Sequence, residues 1–136
     1  MKKKIIVSAV LLAISIYAIN LFFIQPKSVE KQMKSVAQNL NKKCPIYLEK
    51  NSRLDSVSTI SNTNFIYYKT LYAMDKRYMK IDSSSAIIRP HLLKEIKENP
   101  NYEAFKKHNI SIDYVFYDKH GSFVNKISFT PELYAH

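Results

Sequence analysis

The chain's only thiol, Cys44, and its four imidazoles, His91, His108, His120 and His136, are the groups that could carry nucleophilic or acid–base chemistry. A catalytic thiol needs a base held beside it, and no spacing nominates one of these histidines as the partner of Cys44. No two histidines stand in an i,i+2 or i,i+4 relation, and no carboxylate cluster follows a calcium-loop pattern, so no metal ligand set is indicated. Ser83, Ser84 and Ser85 lack the glycines of a nucleophile elbow and read as a helix cap. The 136 residues contain one Gly, which also excludes Gly-rich phosphate loops and dinucleotide fingerprints. Enzyme activity is therefore not expected; an envelope hydrolase is the form it would take. Neither a cofactor nor a small-molecule substrate is indicated.

Recognition chemistry has better candidates. Arg53 and Asp55 share a face if their segment is a strand, where they can pair with each other, with Lys69 or with a Tyr of the neighbouring strand. They are either a recognition pair on an exposed sheet face or a clasp that fixes a hairpin. In the second case, removing Asp55 should damage folding before it reveals function. Cys44, beside Pro45 at a helix end, is either simply buried or a thiol that can pair with a second chain in an oxidising compartment. Tyr68 lies in an aromatic run. The chain's ten Tyr and seven Phe can supply core, half-buried sheet surface or a binding face.

These side chains must be positioned by elements that the periodicity predicts. After Gln25-Pro26-Lys27, Ser28 is placed to cap a helix with Glu30 in its first turn and Val29, Met33, Val36, Ala37 and Leu40 as its apolar stripe. Lys42 and Lys43 close that helix and Pro45 ends it. Ile46 and Leu48 form a short strand. Residues 53–60 and 65–72 alternate as two strands around the turn Ser61-Asn62-Thr63-Asn64, with Leu54 and Ile60 on one face and Arg53, Asp55 and Val57 on the other. A loop follows to Ile81.

A helix then starts from the caps at residues 82–85, or at Pro90, with Ile87, Ile88, Leu92, Leu93 and Ile96 as its apolar positions. Asn99-Pro100 opens a second short helix, and Asn109 terminates it. Ile110, Ile112, Tyr114 and Phe116 alternate into a closing hairpin with Phe123, Ile127 and Phe129. Its turn, Asp118-Lys119-His120-Gly121, puts the only Gly where a positive φ is wanted. The fold class is α+β, a helix–hairpin–helix–hairpin domain with an antiparallel sheet.

Ahead of this domain, Lys2, Lys3 and Lys4 precede an uncharged, apolar run at residues 5–24. Twenty helical residues span roughly 30 Å, the hydrocarbon thickness of a bilayer. The run is longer than the apolar stretch of a cleavable signal, for which Ile16-Tyr17-Ala18 is the nearest cleavage site. The net charge is +10, and residues 25–80 hold 11 basic against four acidic side chains. The basic excess therefore lies next to the apolar run. There Lys27, Lys31 and Lys34 either contact anionic lipid or form a solvated helix face. No nucleic-acid-binding motif accompanies this charge.

At Asn41-Lys42-Lys43-Cys44-Pro45, Arg53-Leu54-Asp55 and Tyr67-Tyr68-Lys69-Thr70-Leu71, the chain resembles a family of small bacterial exported or membrane-anchored proteins. That family's pattern is an Asn and a Cys-Pro after a helix, then Thr-Arg-Leu-Asp, then Tyr-x-Tyr-Thr-Leu. Ser52 stands in place of the Thr, and Lys69 interrupts the aromatic strand. The resemblance implies export and an α+β fold and brings no activity with it.

The expected organisation is a cytoplasmic tail and transmembrane anchor within residues 1–24 (anchor 5–24), an amphipathic juxtamembrane helix at 25–43, and an extracytoplasmic α+β domain at 44–136. The chain sits in the cytoplasmic membrane, or is periplasmic or secreted if the segment is cleaved. Its expected role is binding, to another envelope protein or to its own copy, through an exposed aromatic sheet edge. An envelope immunity or inhibitor protein that neutralises a toxin is the alternative.

Overall fold

The computed structural model describes residues 28–48 and 51–135. In chain order these form α1 (Val29–Asn41), β1 (Ile46–Leu48), β2 (Ser52–Ile60), β3 (Asn64–Leu71), α2 (Ile81–Glu98), α3 (Glu103–Lys107), β4 (Ser111–Asp118), β5 (Phe123–Phe129) and α4 (Pro131–Tyr134). Single 3-10 turns at Lys76–Tyr78 and Pro100–Tyr102 lead into α2 and α3. The apolar run at residues 5–24 lies outside the described residues. Among the described residues, no helix is long and apolar enough to cross a membrane.

Capped by Ser28 and carrying Glu30 in its first turn, α1 buries Met33, Val36 and Ala37. The five strands form one sheet in the order β1-β2-β3-β4-β5. Both hairpins are antiparallel as their turns dictate, but β3 and β4 pair in parallel, so the sheet is mixed rather than wholly antiparallel. The cause lies in the connection. The chain leaves β3 at Leu71, crosses through α2 and α3, and starts β4 beside the beginning of β3, with Asn64 opposite Ser111. A helical crossover of this kind returns the chain to its starting end and sets the next strand in the same direction.

Within β2 the register shifts between Leu54 and Ser56. A bulge adds one residue and reverses the alternation beyond it. Leu54 and Val57 therefore both reach the core, whereas Ile60, expected beside Leu54, is 53% exposed. Outward of the bulge, β1 is too short to cover β2, because its pairing reaches only from Ser52 to Leu54. Asn41 fills the gap: its Nδ2 donates to the Val57 carbonyl at 2.9 Å, and its Oδ1 accepts from the Val57 amide at 2.8 Å.

The helix α2 starts at Ile81, ahead of the expected serine caps, and carries Pro90 in its interior. Pro90 withholds one backbone hydrogen bond, a costly lesion in isolation. Tertiary contacts hold the first turns nonetheless: Ile81 and Ile88 pack on the core, and Asn125 Nδ2 donates to Ser85 Oγ at 2.5 Å. Leu92 and Ile96 are buried, while Ile87, expected on the same stripe, is exposed. At the other end of the domain, Tyr134 of α4 donates to the Ile110 carbonyl at 2.7 Å, and burial pushes its pKa up to about 12.

With one Gly in the chain, the described residues with positive φ are Asn51, Ser61, Asn109 and Gly121. Gly121 has φ +77°, and a Cβ there would meet nothing within 4 Å. Only the backbone conformation penalises a side chain at this turn. Gly121→Ala should therefore cost about 1 kcal/mol and Gly121→Val more, in denaturant titrations of the full chain in detergent.

Candidate functional site

One face of the sheet carries the helices: α1 packs on β2 and α2 on β5, and β3 runs between these two contacts. The residues of β3 that point to the helix side are Phe65, Tyr67, Lys69 and Leu71. Phe65 is fully buried, but the other three are only half-buried. They form the part of the sheet floor between the two helix contacts that stays partly open to solvent. Tyr67 stacks on Tyr114 of β4, with ring centroids 5.2 Å apart and planes 15° from parallel. Tyr114 and Tyr102 share a hydroxyl–hydroxyl hydrogen bond of 3.0 Å, and Tyr102 donates to Glu95 Oε1 at 3.5 Å. Burial pushes the pKa values of Tyr67, Tyr102 and Tyr114 well above the ordinary phenol value, so all three are neutral donors.

Lys69 is the anomaly on this floor. Its Nζ lies 5.0 Å from the centre of the Tyr114 ring, and among the described residues no carboxylate comes within ion-pairing distance of it. Burial lowers its pKa, and the nearby charge of Glu95 opposes that shift. A cation held over an aromatic face and partly stripped of water is an acceptor site for an anion.

The residues that the sequence singled out lie elsewhere. Arg53 Nε donates to Asp55 Oδ1 at 2.6 Å, and the Thr70 hydroxyl donates to Asp55 Oδ2 at 2.5 Å. Both belong to the opposite sheet face, where the register places Tyr47, Arg53, Thr70, Tyr117 and Phe123 in one row across all five strands. Lys69 cannot reach this pair, because it neighbours Thr70 in the strand and so points to the helix side. Tyr68 lies on the same face as the pair and shares a 3.0 Å hydrogen bond with Ser58. Tyr47 and Phe123, at either edge of the row, are more than half solvent-exposed or close to it.

Cys44 sits half-buried at the junction of α1 and β1 against the core, and burial followed by the charge of Asp55 raises its pKa. Gly121 lies in the β4–β5 turn. Of the lysines expected at a lipid surface, Lys34 is paired with Glu30 at 2.7 Å, and Lys27 lies outside the described residues.

A second polar constellation was not singled out in the sequence. Asp75, Lys76, Arg77, Asp118, His120 and Ser122 line an open cleft of about 520 Å³ where the chain leaves β3 and β4. Asp118, 1% exposed, accepts backbone N–H bonds from Lys76 at 3.0 Å, His120 at 2.8 Å and Ser122 at 2.9 Å. Asp75 accepts from Arg77 Nη2 at 2.7 Å and lies 3.2 Å from His120 Nε2; the Arg77 guanidinium holds its carboxyl far below the usual range. The available signal was an Asp accepting the N–H two residues on, which both Asp75-Lys76-Arg77 and Asp118-Lys119-His120 display. Both carboxylates are consumed internally, so this cleft is first a latch between two loops. Among the described residues, no group of three or more His, Cys, Asp or Glu side chains gathers where it could hold a metal ion.

A family profile described as Domain of unknown function (DUF8479) matches residues 27–124. No curated protein sequence matches the chain. Among solved structures, the chain is similar to a candidate secreted protein from Pseudomonas aeruginosa, with a TM-score of 0.64 at 17% identity over 77% of this chain and 91% of that one. It is also similar to EpsS, the pilotin of the Vibrio vulnificus type 2 secretion system, with a TM-score of 0.60 at 10% identity over 77% and 90% of the two chains. The type II secretion system pilotin AspS from Vibrio cholerae gives a TM-score of 0.60 at 10% identity over 77% and 91%. At these identities the likeness is one of fold.

Proposed function

This chain belongs to the DUF8479 family, and from that premise we propose that it is a non-enzymatic, extracytoplasmic binding domain that holds a segment of another envelope protein in the groove between α1 and α2. The observation that carries this reading is the half-buried floor of β3, where Tyr67, Lys69 and Leu71 face the helix side and keep part of their surface in solvent. Grooves floored by aromatic and apolar side chains between two helices suit an amphipathic partner segment. The fold shared with a candidate secreted protein and with two type II secretion pilotins supports a place in the envelope. The uncharged run at residues 5–24 supports a membrane tether with the N-terminus inside, and Lys31 beside it is available to anionic lipid.

The test uses the strand's own alternation. A photo-crosslinking residue replaces Tyr67 on the groove side or Tyr68 on the opposite face of the full-length protein, in intact cells. We expect position 67 to trap a second envelope protein and position 68 to trap none. Crosslinks confined to position 68 would transfer the role to the Arg53–Asp55 face. Monomer alone at both positions would remove the binding role.

A further inference from the structure

Resting on the groove reading above, we propose that Lys69 is the recognition point for a carboxylate carried by the docked segment, so that the partner is an apolar segment with an acidic group. Two independent features of the floor support this. The ammonium of Lys69 lies over Tyr114 with no anionic partner among the described residues. Two positions earlier on the same strand face, Tyr67 is held by ring contacts with Phe65 and Tyr114, and its hydroxyl makes no hydrogen bond to any described residue. A cation and a neutral hydroxyl donor, side by side on a half-buried aromatic floor, offer the two contacts that one carboxylate accepts.

The neighbouring hydroxyls are already committed, Tyr114 to Tyr102 and Tyr102 to Glu95, which leaves Tyr67 and Lys69 as the open pair. Glu95 stands at the exposed rim. Its charge acts on Lys69 through space, partly opposing the lowering of the ammonium pKa by burial, while lying beyond ion-pairing distance. Removing part of the solvent strengthens the attraction between Lys69 and an incoming carboxylate relative to the same pair in water. The basic balance of the chain, +10 overall, favours approach by an acidic partner.

The experiment takes the full chain in nanodiscs and three pools of acetylated, leucine-rich 12-residue peptides. One pool has a single internal Glu and an amidated end, the second has Gln at that position and an amidated end, and the third has Gln and a free terminal carboxylate. Calorimetry gives Kd, and the 15N signal of the Lys69 ammonium reports contact.

We expect one of the carboxylate-bearing pools to bind about tenfold more tightly than the neutral pool, the usual worth of a charge-assisted hydrogen bond. Whether the internal or the terminal carboxylate wins identifies its source. In Lys69→Met the preference for a carboxylate over the neutral pool should vanish, and Lys69→Arg should restore part of it. Equal affinity for all three pools, or a preference that survives Lys69→Met, would overturn the role of Lys69 and leave the groove standing. No binding of any pool, or binding unchanged by Tyr67→Arg, would overturn the groove itself.

Discussion

Replacing Asp118 with Ala is expected to lower the melting temperature of the domain by on the order of 15 °C. The carboxylate is almost wholly buried and receives three backbone N–H bonds, from Lys76, His120 and Ser122. The Lys76 bond ties the exit loop of β3 to the turn after β4. Around it, the Lys119 amide donates to the Met74 carbonyl at 2.9 Å, and the Asp118 amide to the Ser122 carbonyl at 2.9 Å. Alanine would leave three amides without an acceptor and release the loop that runs into α2. Asp118→Asn keeps the shape but replaces one acceptor oxygen with a donor, so it should recover only part of the loss.

The backbone donors, Lys76 first, lower the Asp118 pKa below its ordinary value of 3.8 against the opposing effect of burial. The folded state therefore holds this proton less readily than the unfolded chain. The stabilisation is present above about pH 4 and disappears as the pH falls below it. Thermal unfolding of the parent and Asp118→Ala proteins at pH 7 and again near pH 3 checks both statements. The difference between the two proteins should shrink at the lower pH. A constant difference would mean that Asp118 acts through its shape alone.

How much of this was legible in the sequence depends on the range of the interaction. Met33, Val36 and Ala37 announce α1 because their spacing alone puts them on one stripe. Gly121 announces its turn because only backbone strain is at stake there. Val57 misleads for an equally local reason: the bulge at Asp55 reverses the alternation, and no residue type in Leu54-Asp55-Ser56 announces it. The parallel pairing of β3 with β4 is invisible, because alternation says which residues share a face and not which strand lies alongside or in which direction.

Lys69 follows from that pairing. It stands out in the sequence as a cation in an aromatic strand, and the reading aimed it at Arg53 and Asp55. Its true neighbour, Tyr114, is delivered only when β4 arrives beside β3 from 45 residues further along the chain. The Asp75–Asp118 latch has the same character. Each Asp signals its own turn, but the Asp118–Lys76 bond that joins the turns spans 42 residues.

Asn41→Ala should destabilise the domain by about 2–3 kcal/mol, because its amide substitutes for a missing strand. Beyond Leu54 nothing in β1 pairs with β2, and the outer edge of β2 would otherwise present the Val57 N–H and C=O without partners. The Asn41 side chain answers both with bonds of 2.8 and 2.9 Å, as a neighbouring backbone would, and the last residue of α1 is thereby pinned to the sheet. Alanine removes both bonds and leaves two part-buried backbone groups unsatisfied. Asn41→Asp retains an acceptor for the amide but sets a carboxylate against the Val57 carbonyl, so it should not rescue.

Two measurements on the full chain in detergent distinguish this role from a general loss of packing. Hydrogen exchange at the Val57 amide should accelerate in Asn41→Ala far more than exchange at the β4 amides, which pair on both sides with β3 and β5. The uncovered edge of β2 should also promote strand-to-strand self-association, visible as more concentration-dependent sedimentation than the parent protein shows. If Val57 exchange is unchanged while stability falls, the loss comes from α1 packing and the side chain is not an edge cover.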